Sequence, residues 1–232
     1  MGTRGLTQGQ AIRRLREAER LNRELLGRLR ANGGAVDPGA LAALSAQNSR
    51  LMSFATTDSL TGLPNKRAMR DLLDQELARA DRSGGGLAVL FADLDHFKAV
   101  NDTRGHQAGD EVLAGAGALL ARSVRAVDRV GRWGGEEFVV LLPGAGRAAA
   151  AEVAERVRAD LAQHAFPGGL GMTASLGVAV YPADGRTGEG LLAAADTAMY
   201  AAKAGGRDRV CVAGAGTGAE AETGGVPGCE AA

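Results

Sequence analysis

The chain has 232 residues, of which 45% are hydrophobic, and this is enough for one core of roughly 150 residues with additional segments. Lysine and arginine together number 27, as do aspartate and glutamate, so no net charge attracts the chain to nucleic acid or to an anionic membrane. No apolar run approaches the roughly 20 residues that span a bilayer, and the Arg-rich N-terminus lacks an apolar signal region. We therefore expect a cytoplasmic protein with no nucleic-acid partner and no integral membrane segment.

Residues 1–56 are predicted to form a helical segment for dimerisation or signalling. Two runs of about two or three heptads each are separated by a Gly-rich break at 31–39. An Asn in a heptad core position can set the register of a coiled coil. A parallel dimer stalk and helices that pack on their own domain both remain open. The heptad-like positions are Leu15, Ala18, Asn22, Leu25 and Leu29 in the first run, and Leu41, Leu44, Asn48, Leu51 and Ala55 in the second.

Residues 57–212 alternate between helical and strand patterns, which predicts one mixed α/β domain with at least one hairpin. The continuous apolar run Leu87–Ala92 is typical of a strand buried on both faces. Residues 213–232 are rich in Gly, Ala, Glu and Thr, and we expect a disordered tail. The predicted helices cover 66–82, 110–127, 147–164 and 188–204, and the predicted strands cover 87–92, 129–133, 136–142, 172–181 and 209–212.

Carboxylates follow two of the predicted strands. Asp93 ends the first apolar strand, and Glu136-Glu137 follow a Gly-Gly pair that is typical of a two-residue hairpin. Successive strand residues face opposite sides of a sheet, so only one of these two glutamates is expected to share a face with Asp93. Two such carboxylates make a hard oxygen site suited to Mg²⁺. A solvated strand end and a plain hairpin with charged edges explain each feature equally well when it is taken alone.

Phosphate would have to be bound here without a P-loop, because no Lys follows a Gly in the pattern that this loop requires. Lys203 and Arg207 lie four residues apart across a predicted helix end, and Lys98 follows the Asp93 strand. These cations could contact a triphosphate, Lys as a point charge and Arg through its planar fork. Taken singly, each is equally compatible with an ordinary surface charge.

Six motifs in one order carry a resemblance to a known family. Together they resemble the GGDEF diguanylate cyclases over about residues 57–212. The motifs are Asp58-Ser-Leu-Thr-Gly-Leu-Pro-Asn-Lys-Arg67, Asp93-Leu-Asp-His-Phe-Lys98, Asn101-Asp-Thr-Arg-Gly-His-Gln-Ala-Gly-Asp110, Arg132-Trp-Gly-Gly-Glu-Glu-Phe138, Ala174-Ser-Leu-Gly-Val178, and Ala195-Asp-Thr-Ala-Met-Tyr-Ala-Ala-Lys203 with Gly206-Arg207.

The resemblance implies an α+β fold, a ferredoxin-like or palm-type mixed sheet covered by helices and preceded by the N-terminal helices. It implies that two Mg²⁺ ions, with Mn²⁺ as the alternative, are bound by Asp93, the Leu94 carbonyl and Glu136. Glu137 is then expected to assist at the metal or the reacting hydroxyl, and Lys98 to stabilise charge in the transition state. The substrate-binding residues implied in the same way are Asn101, His106 and Asp110, of which Asn101 and Asp110 contact the guanine edge, with Lys203 and Arg207 on the phosphates.

The resemblance also implies the reaction and its regulation. Two GTP molecules would be condensed into cyclic di-GMP and two pyrophosphates by a homodimer in which each domain holds one GTP. The Arg125-Ala-Val-Asp128 segment resembles the family's inhibitory product site, to which Arg156 is expected to contribute from a neighbouring helix. An ion pair at a helix end is the simpler interpretation of that segment. The alternative function is a non-catalytic module that senses cyclic di-GMP or GTP.

Overall fold

The computed structural model of the chain describes residues 55–214. The chain divides into two compact units, residues 1–59 and 60–232, and the elements described below all lie in the second. The predicted N-terminal heptad helices lie almost wholly in residues 1–54, and most of the predicted tail lies in residues 215–232. Both therefore fall outside the described residues.

Five strands form one mixed sheet in the second unit. They are β1 (Leu87–Leu94), β2 (Arg129–Gly134), β3 (Glu137–Pro143), β4 (Ala174–Tyr181) and β5 (Val210–Val212). Their order in the sheet is β2-β3-β1-β4-β5. β1 lies in the centre and pairs antiparallel with β3 and β4, β2 pairs antiparallel with β3, and β5 pairs parallel with β4.

Helices cover both faces of this sheet. They are α1 (Lys66–Ser83), α2 (Phe97–Arg104), α3 (His106–Ser123), α4 (Arg147–Gln163) and α5 (Gly188–Ala204), with a short 3₁₀ turn at Pro167–Gly169. One core cluster lies under α3 and α4, and a second lies under α1 and α5. All eight residues of β1 are buried, as expected for a strand covered on both sides. Alternate residues of β1 enter the two clusters, since successive side chains of a strand point to opposite faces.

The predicted mixed sheet with covering helices is confirmed, and α5 has the predicted bounds, 188–204. The helix predicted at 110–127 is displaced, because α3 begins at His106 and ends at Ser123. Val124 is already extended, at φ −121° and ψ 167°, and the 125–128 segment forms a turn instead. The eight-residue helix α2 was not predicted, since it is too short to show a periodic pattern. Among residues 55–214, no helix is both long and apolar enough to cross a membrane.

Candidate active site

The carboxylates of Asp93 and Glu137 lie on the same face of the sheet. Strand register places Asp93 of β1 directly opposite Glu137 of β3, and directly opposed residues project to one side. The sequence predicts a strand that begins at Glu136, but β3 begins one residue later, at Glu137. Glu136 is therefore not part of the strand. It lies in the turn, and its charge nevertheless acts on Asp93. Both glutamates therefore accompany Asp93, Glu137 through strand pairing and Glu136 from the turn.

The hairpin that carries the glutamates is a tight turn. Gly134 pairs with Glu137, which leaves Gly135 and Glu136 as the two loop residues. Gly135 has φ +50°, a left-handed conformation that residues with a Cβ adopt at a cost. The Arg132 guanidinium donates through Nε and Nη2 to the Gly135 carbonyl, at 2.9 and 2.7 Å. The Leu94 N–H donates to the Glu136 carbonyl at 3.3 Å, which ties the turn to the end of β1.

A lysine of α5 neutralises part of this negative charge. Lys203 Nζ lies 2.8 Å from Asp93 Oδ2, and both side chains are largely shielded from solvent. Burial raises the pKa of Asp93, the Lys203 ammonium opposes that rise, and the charges of Glu136 and Asp95 add to it. Burial and the charge of Asp93 likewise raise the pKa of Glu137. The pKa of Asp93 is raised despite its ion pair, mainly because the carboxylate is buried, and a further positive charge at this end of β1 would favour its ionised form.

The donor set fits a hard divalent cation that keeps part of its shell for other ligands. Carboxylate and backbone carbonyl oxygens are the ligands that Mg²⁺ prefers. Within residues 55–214, no group of three or more His, Cys, Asp or Glu side chains is arranged so that it could hold a metal ion. An incomplete protein shell is usual for Mg²⁺, which fills its remaining positions with water and phosphate oxygens. The residues therefore fit a metal that would be bound together with a phosphate substrate.

Three residues expected to contact the substrate, two of them at the guanine edge, lie around the junction of α2 and α3. Asn101 belongs to α2, whereas His106 and Asp110 belong to the first turns of α3. Gly109 brings the two helices together, because a Cβ at this position would lie 2.0 Å from Asn101 Oδ1. Only a glycine at position 109 thus leaves room for the Asn101 side chain in this position. Gly109 lies within a motif of the sequence, but its residue type alone predicts no such role.

Lys98 and Arg207 are both exposed side chains. Lys98 lies on the first turn of α2. In the part of the chain that the structure describes, neither Lys98 nor His106 forms a hydrogen bond or ion pair with Asp93, Glu136 or Glu137. Arg207 follows α5, where the Arg207 N–H donates to the Ala202 carbonyl at 3.0 Å and Gly206 has φ +116°. These features define a Schellman ending, which fixes where the chain carrying Arg207 leaves the helix.

A cavity of about 550 Å³ opens beside Glu137, between α1 and α5. Its aromatic wall is Trp133, which packs edge-on against Phe91 with ring centroids 6.0 Å apart. Lys66 Nζ lies 4.7 Å from the centre of the Trp133 ring, within cation–π range. Its positive charge also lowers the pKa of Glu137, against the effect of burial. This arrangement could not be predicted, since no sequence pattern links α1 to the residue before the Gly-Gly pair.

The residues of the expected inhibitory site lie close together around the C-terminal end of α3. Asp128 is almost fully buried and accepts from the Arg125 N–H at 2.8 Å, from Nε at 3.2 Å and from Nη2 at 2.9 Å. The Arg125 side chain is 58% exposed, and Asp128 raises its pKa. Arg156 of α4 donates through Nε and Nη2 to the Ser123 carbonyl, at 3.1 and 2.9 Å. Two guanidinium groups are thus fixed around one helix end.

An antiparallel hairpin that presents carboxylates beside the central strand of a five-stranded mixed sheet, covered by helices, defines a palm-like nucleotidyl cyclase fold. The family model described as "Diguanylate cyclase, GGDEF domain" matches residues 55–209. The chain belongs to this family.

Individual relatives agree with this assignment. The chain is 44% identical over 162 residues to diguanylate cyclase DgcP of Pseudomonas aeruginosa, a match that covers 68% of this chain and 24% of that protein. The chain thus spans about a quarter of that relative's length. Among solved structures, the coiled coil and GGDEF domain of DgcB from Caulobacter crescentus, in complex with c-di-GMP, superposes with a TM-score of 0.71 at 30% identity, covering 82% and 99% of the two chains. The active GGEEF domain of a diguanylate cyclase from Vibrio cholerae gives a TM-score of 0.62 at 32% identity, covering 65% and 97%.

Proposed function

We propose that this protein is a diguanylate cyclase that condenses two GTP molecules into cyclic di-GMP and two pyrophosphates. The observation that carries the proposal is the cluster of Asp93, Glu136 and Glu137 at one end of the sheet, with Lys203 against it. Such a cluster suits phosphoryl transfer, in which positioning and charge stabilisation supply most of the rate. Membership of the GGDEF family supports the same reaction.

The roles of the residues follow from their chemistry. Asp93, the Leu94 carbonyl and Glu136 would hold Mg²⁺, with Mn²⁺ as a substitute, and Glu137 would assist at the metal or at the reacting hydroxyl. When bound, the divalent cation neutralises charge on the reacting phosphate and favours ionisation of the attacking hydroxyl. Lys203 and Arg207 would hold the phosphates, and Lys98 would stabilise the charge that develops in the transition state.

Base recognition belongs to the junction of α2 and α3. The Asp110 carboxylate can accept hydrogen bonds from the N1 and N2 groups of guanine, which adenine cannot match. The Asn101 amide, held over Gly109, has both a donor and an acceptor for the same base edge. His106, exposed at the start of α3, would complete the substrate contacts. GTP is therefore the proposed substrate.

Two domains are needed for the complete reaction. Each 3′-oxygen attacks the α-phosphorus of the opposite GTP, loses its proton and forms one phosphodiester bond, while pyrophosphate leaves. Because each domain has only one cluster of Asp93, Glu136 and Glu137, two copies must face each other to form both bonds. The proposed active species is therefore a homodimer, and the N-terminal segment, residues 1–56, is the proposed dimerising element.

Product would inhibit the enzyme at the end of α3. The guanidinium groups of Arg125, which is exposed, and of Arg156 can each donate two parallel hydrogen bonds to a phosphate or to a guanine edge. Asp128 holds the Arg125 guanidinium in one orientation. Cyclic di-GMP bound there would hold the domains in a nonproductive arrangement.

Product analysis by mass spectrometry tests the proposed activity. Purified protein with GTP and Mg²⁺ is expected to yield cyclic di-GMP, and Glu136→Ala should abolish that product. Glu152→Ala, at an exposed glutamate on α4, is the matched control and should keep full activity. If the wild type forms no cyclic di-GMP at concentrations that ensure dimerisation, the proposal is overturned.

The second candidate function is a non-catalytic sensor of cyclic di-GMP or GTP. The preformed Arg125–Asp128 pair is the observation that favours it, since this pair can bind product without turnover. Calorimetry separates the two functions: tight binding of cyclic di-GMP by a protein that forms no product from GTP would identify a sensor.

A further inference from the structure

Asp95 is a buried carboxylate that the proposed chemistry does not use. It follows β1 two residues after Asp93, and only 4% of its surface is exposed. Its oxygens accept hydrogen bonds from Ser175 Oγ at 2.7 Å, from Thr173 Oγ1 at 2.8 Å and from the Asp208 N–H at 3.0 Å. Its own N–H donates to the Thr173 carbonyl at 2.9 Å. One side chain thus joins the end of β1, the start of β4 and the loop between α5 and β5.

The loop that Asp95 holds is conformationally strained. Arg207 has φ +65° and Asp208 has φ +43°, both in the left-handed region that side chains with a Cβ disfavour. Among residues 55–214, only one other non-glycine residue has a positive φ, and it is His96, directly after Asp95. Strained backbone persists only where the surroundings enforce it, and it is concentrated at functional sites. Here the enforcing contact is the hydrogen bond from the Asp208 N–H to Asp95.

We propose that Asp95 is a positioning residue that holds the Arg207 side chain toward the triphosphate of the substrate. This inference rests on the proposed function and names a further determinant of the same site. Asp95 acts through the backbone, since it accepts from the N–H of the residue after Arg207 and so holds the peptide group that follows the Arg207 side chain. A second contact supports the loop from outside: Arg158 Nη1 donates to Asp208 Oδ1 at 2.6 Å. The Asp208 backbone and side chain are therefore held on two sides.

An acceptor is needed at position 95, because the Asp208 N–H can only donate. The two carboxylate oxygens accept all three hydrogen bonds. An asparagine could keep them, since its oxygen can replace Oδ2 and its NH₂ group can donate to the Ser175 hydroxyl, which also accepts. A leucine has nearly the same shape as aspartate but no acceptor. Asp95→Leu should therefore release the Asp208 N–H while leaving the packing of β1 almost unchanged.

The test compares the binding of GTP and GMP in buffer with EDTA, where no turnover occurs. Loss of one hydrogen bond to a charged group corresponds to about a tenfold effect, so Asp95→Leu is expected to weaken GTP binding roughly tenfold. GMP binding should stay unchanged, because the proposed contacts of Arg207 are with phosphates that GMP lacks. Arg207→Ala should weaken GTP binding at least as much. The double variant should be no weaker than Arg207→Ala alone, since Asp95 acts through that residue.

Two further variants separate positioning from general stability. Ser175→Ala removes one hydrogen bond of Asp95 but keeps the contact to Asp208, so the ratio of GTP to GMP affinity should stay at the wild-type value. Asp95→Ala also removes the acceptor for the Asp208 N–H, and it should reproduce the effect of Asp95→Leu even if that variant fails to fold. Additive effects of Asp95→Leu and Arg207→Ala, or a wild-type affinity ratio in Asp95→Ala, would overturn the inference. Because binding is measured without turnover, a wild type that binds GTP but makes no product would refute the cyclase activity alone.

Discussion

Lys203 Nζ and Asp93 Oδ2 lie 2.8 Å apart, so a proposed phosphate ligand and a proposed metal ligand neutralise each other directly. A divalent cation bound by Asp93 competes with this ammonium, and a triphosphate offers the ammonium other partners. The binding of metal and substrate together is therefore expected to break the ion pair between Lys203 and Asp93. The same contact keeps the buried carboxylate from being left without a counter-charge.

Removal of the ammonium should destabilise the protein in a metal-dependent way. Lys203→Met leaves the Asp93 carboxylate buried without its partner, and we expect a loss of about 1–2 kcal/mol in the free energy of unfolding in EDTA. Saturating Mg²⁺ should reduce the difference from wild type, because the cation binds only the folded protein and replaces the missing charge. Urea unfolding with and without Mg²⁺ measures both values. Arg82→Met, on an exposed part of α1, is the control, and an equal loss in both buffers would contradict the prediction.

The raised pKa values of Asp93 and Glu137 predict a pH-dependent stability in metal-free buffer. The ordinary values are 3.8 and 4.5, and burial raises both in the folded state. The folded protein then binds more protons than the unfolded chain over the window above these values. The free energy of unfolding should therefore fall as the pH rises through that window. Cation binding needs ionised carboxylates, so the apparent Mg²⁺ affinity should rise over the same window.

Glu137→Gln isolates one part of this dependence. The amide cannot ionise, so the variant should show a shallower decrease in stability with rising pH, measured by urea unfolding in EDTA at a series of pH values. Glu152→Gln, at an exposed position on α4, should keep the wild-type slope. A Glu137→Gln slope as steep as that of the wild type would show that Glu137 does not titrate in this window.

The sheet and one side of the site could be predicted from the sequence because their signals are local. The apolar run before Asp93 and the Gly-Gly pair before the glutamates predicted a strand and a hairpin. The face that each glutamate occupies could not be predicted, because it depends on where the turn ends. Gly134 pairs with Glu137, so the loop is Gly135-Glu136, one residue later than the Gly-Gly pair suggested.

Contacts between distant parts of the chain leave no pattern in the sequence. Asp95 and Asp208 are 113 residues apart, and a backbone N–H carries the contact, so no residue type marks it. The approach of Lys66 to Trp133 joins α1 to β2 and depends equally on the assembled sheet. The role of Gly109 became apparent only when the Asn101 side chain was found over it. Family resemblance supplied the roles of individual residues, whereas the structure supplied the residues that position them.

Gly109→Ala should weaken recognition of the guanine. The added Cβ would lie 2.0 Å from Asn101 Oδ1, so the Asn101 side chain must move from its position over α3. We expect the KM for GTP to rise about tenfold, which corresponds to the loss of about one hydrogen bond in the complex. Steady-state kinetics of cyclic di-GMP formation measures this effect. Gly171→Ala is the control, because no atom lies within 4 Å of its added Cβ, and an unchanged KM in Gly109→Ala would exclude a role for the close approach.

Arg125→Ala should relieve inhibition by product without reducing the initial rate. Arg125 is exposed and is not part of the Asp93 cluster, whereas Asp128 is buried, so truncation of the arginine disturbs the fold less than truncation of the aspartate. The backbone hydrogen bond from Arg125 N–H to Asp128 remains in the variant and should preserve the turn. Progress curves should therefore match the wild type at first and then stay linear as cyclic di-GMP accumulates. Loss of the Arg125 guanidinium should raise the inhibition constant for cyclic di-GMP at least tenfold. Arg122→Ala, at an exposed arginine one turn earlier, should keep the wild-type curvature, and curvature retained by Arg125→Ala would place product inhibition elsewhere.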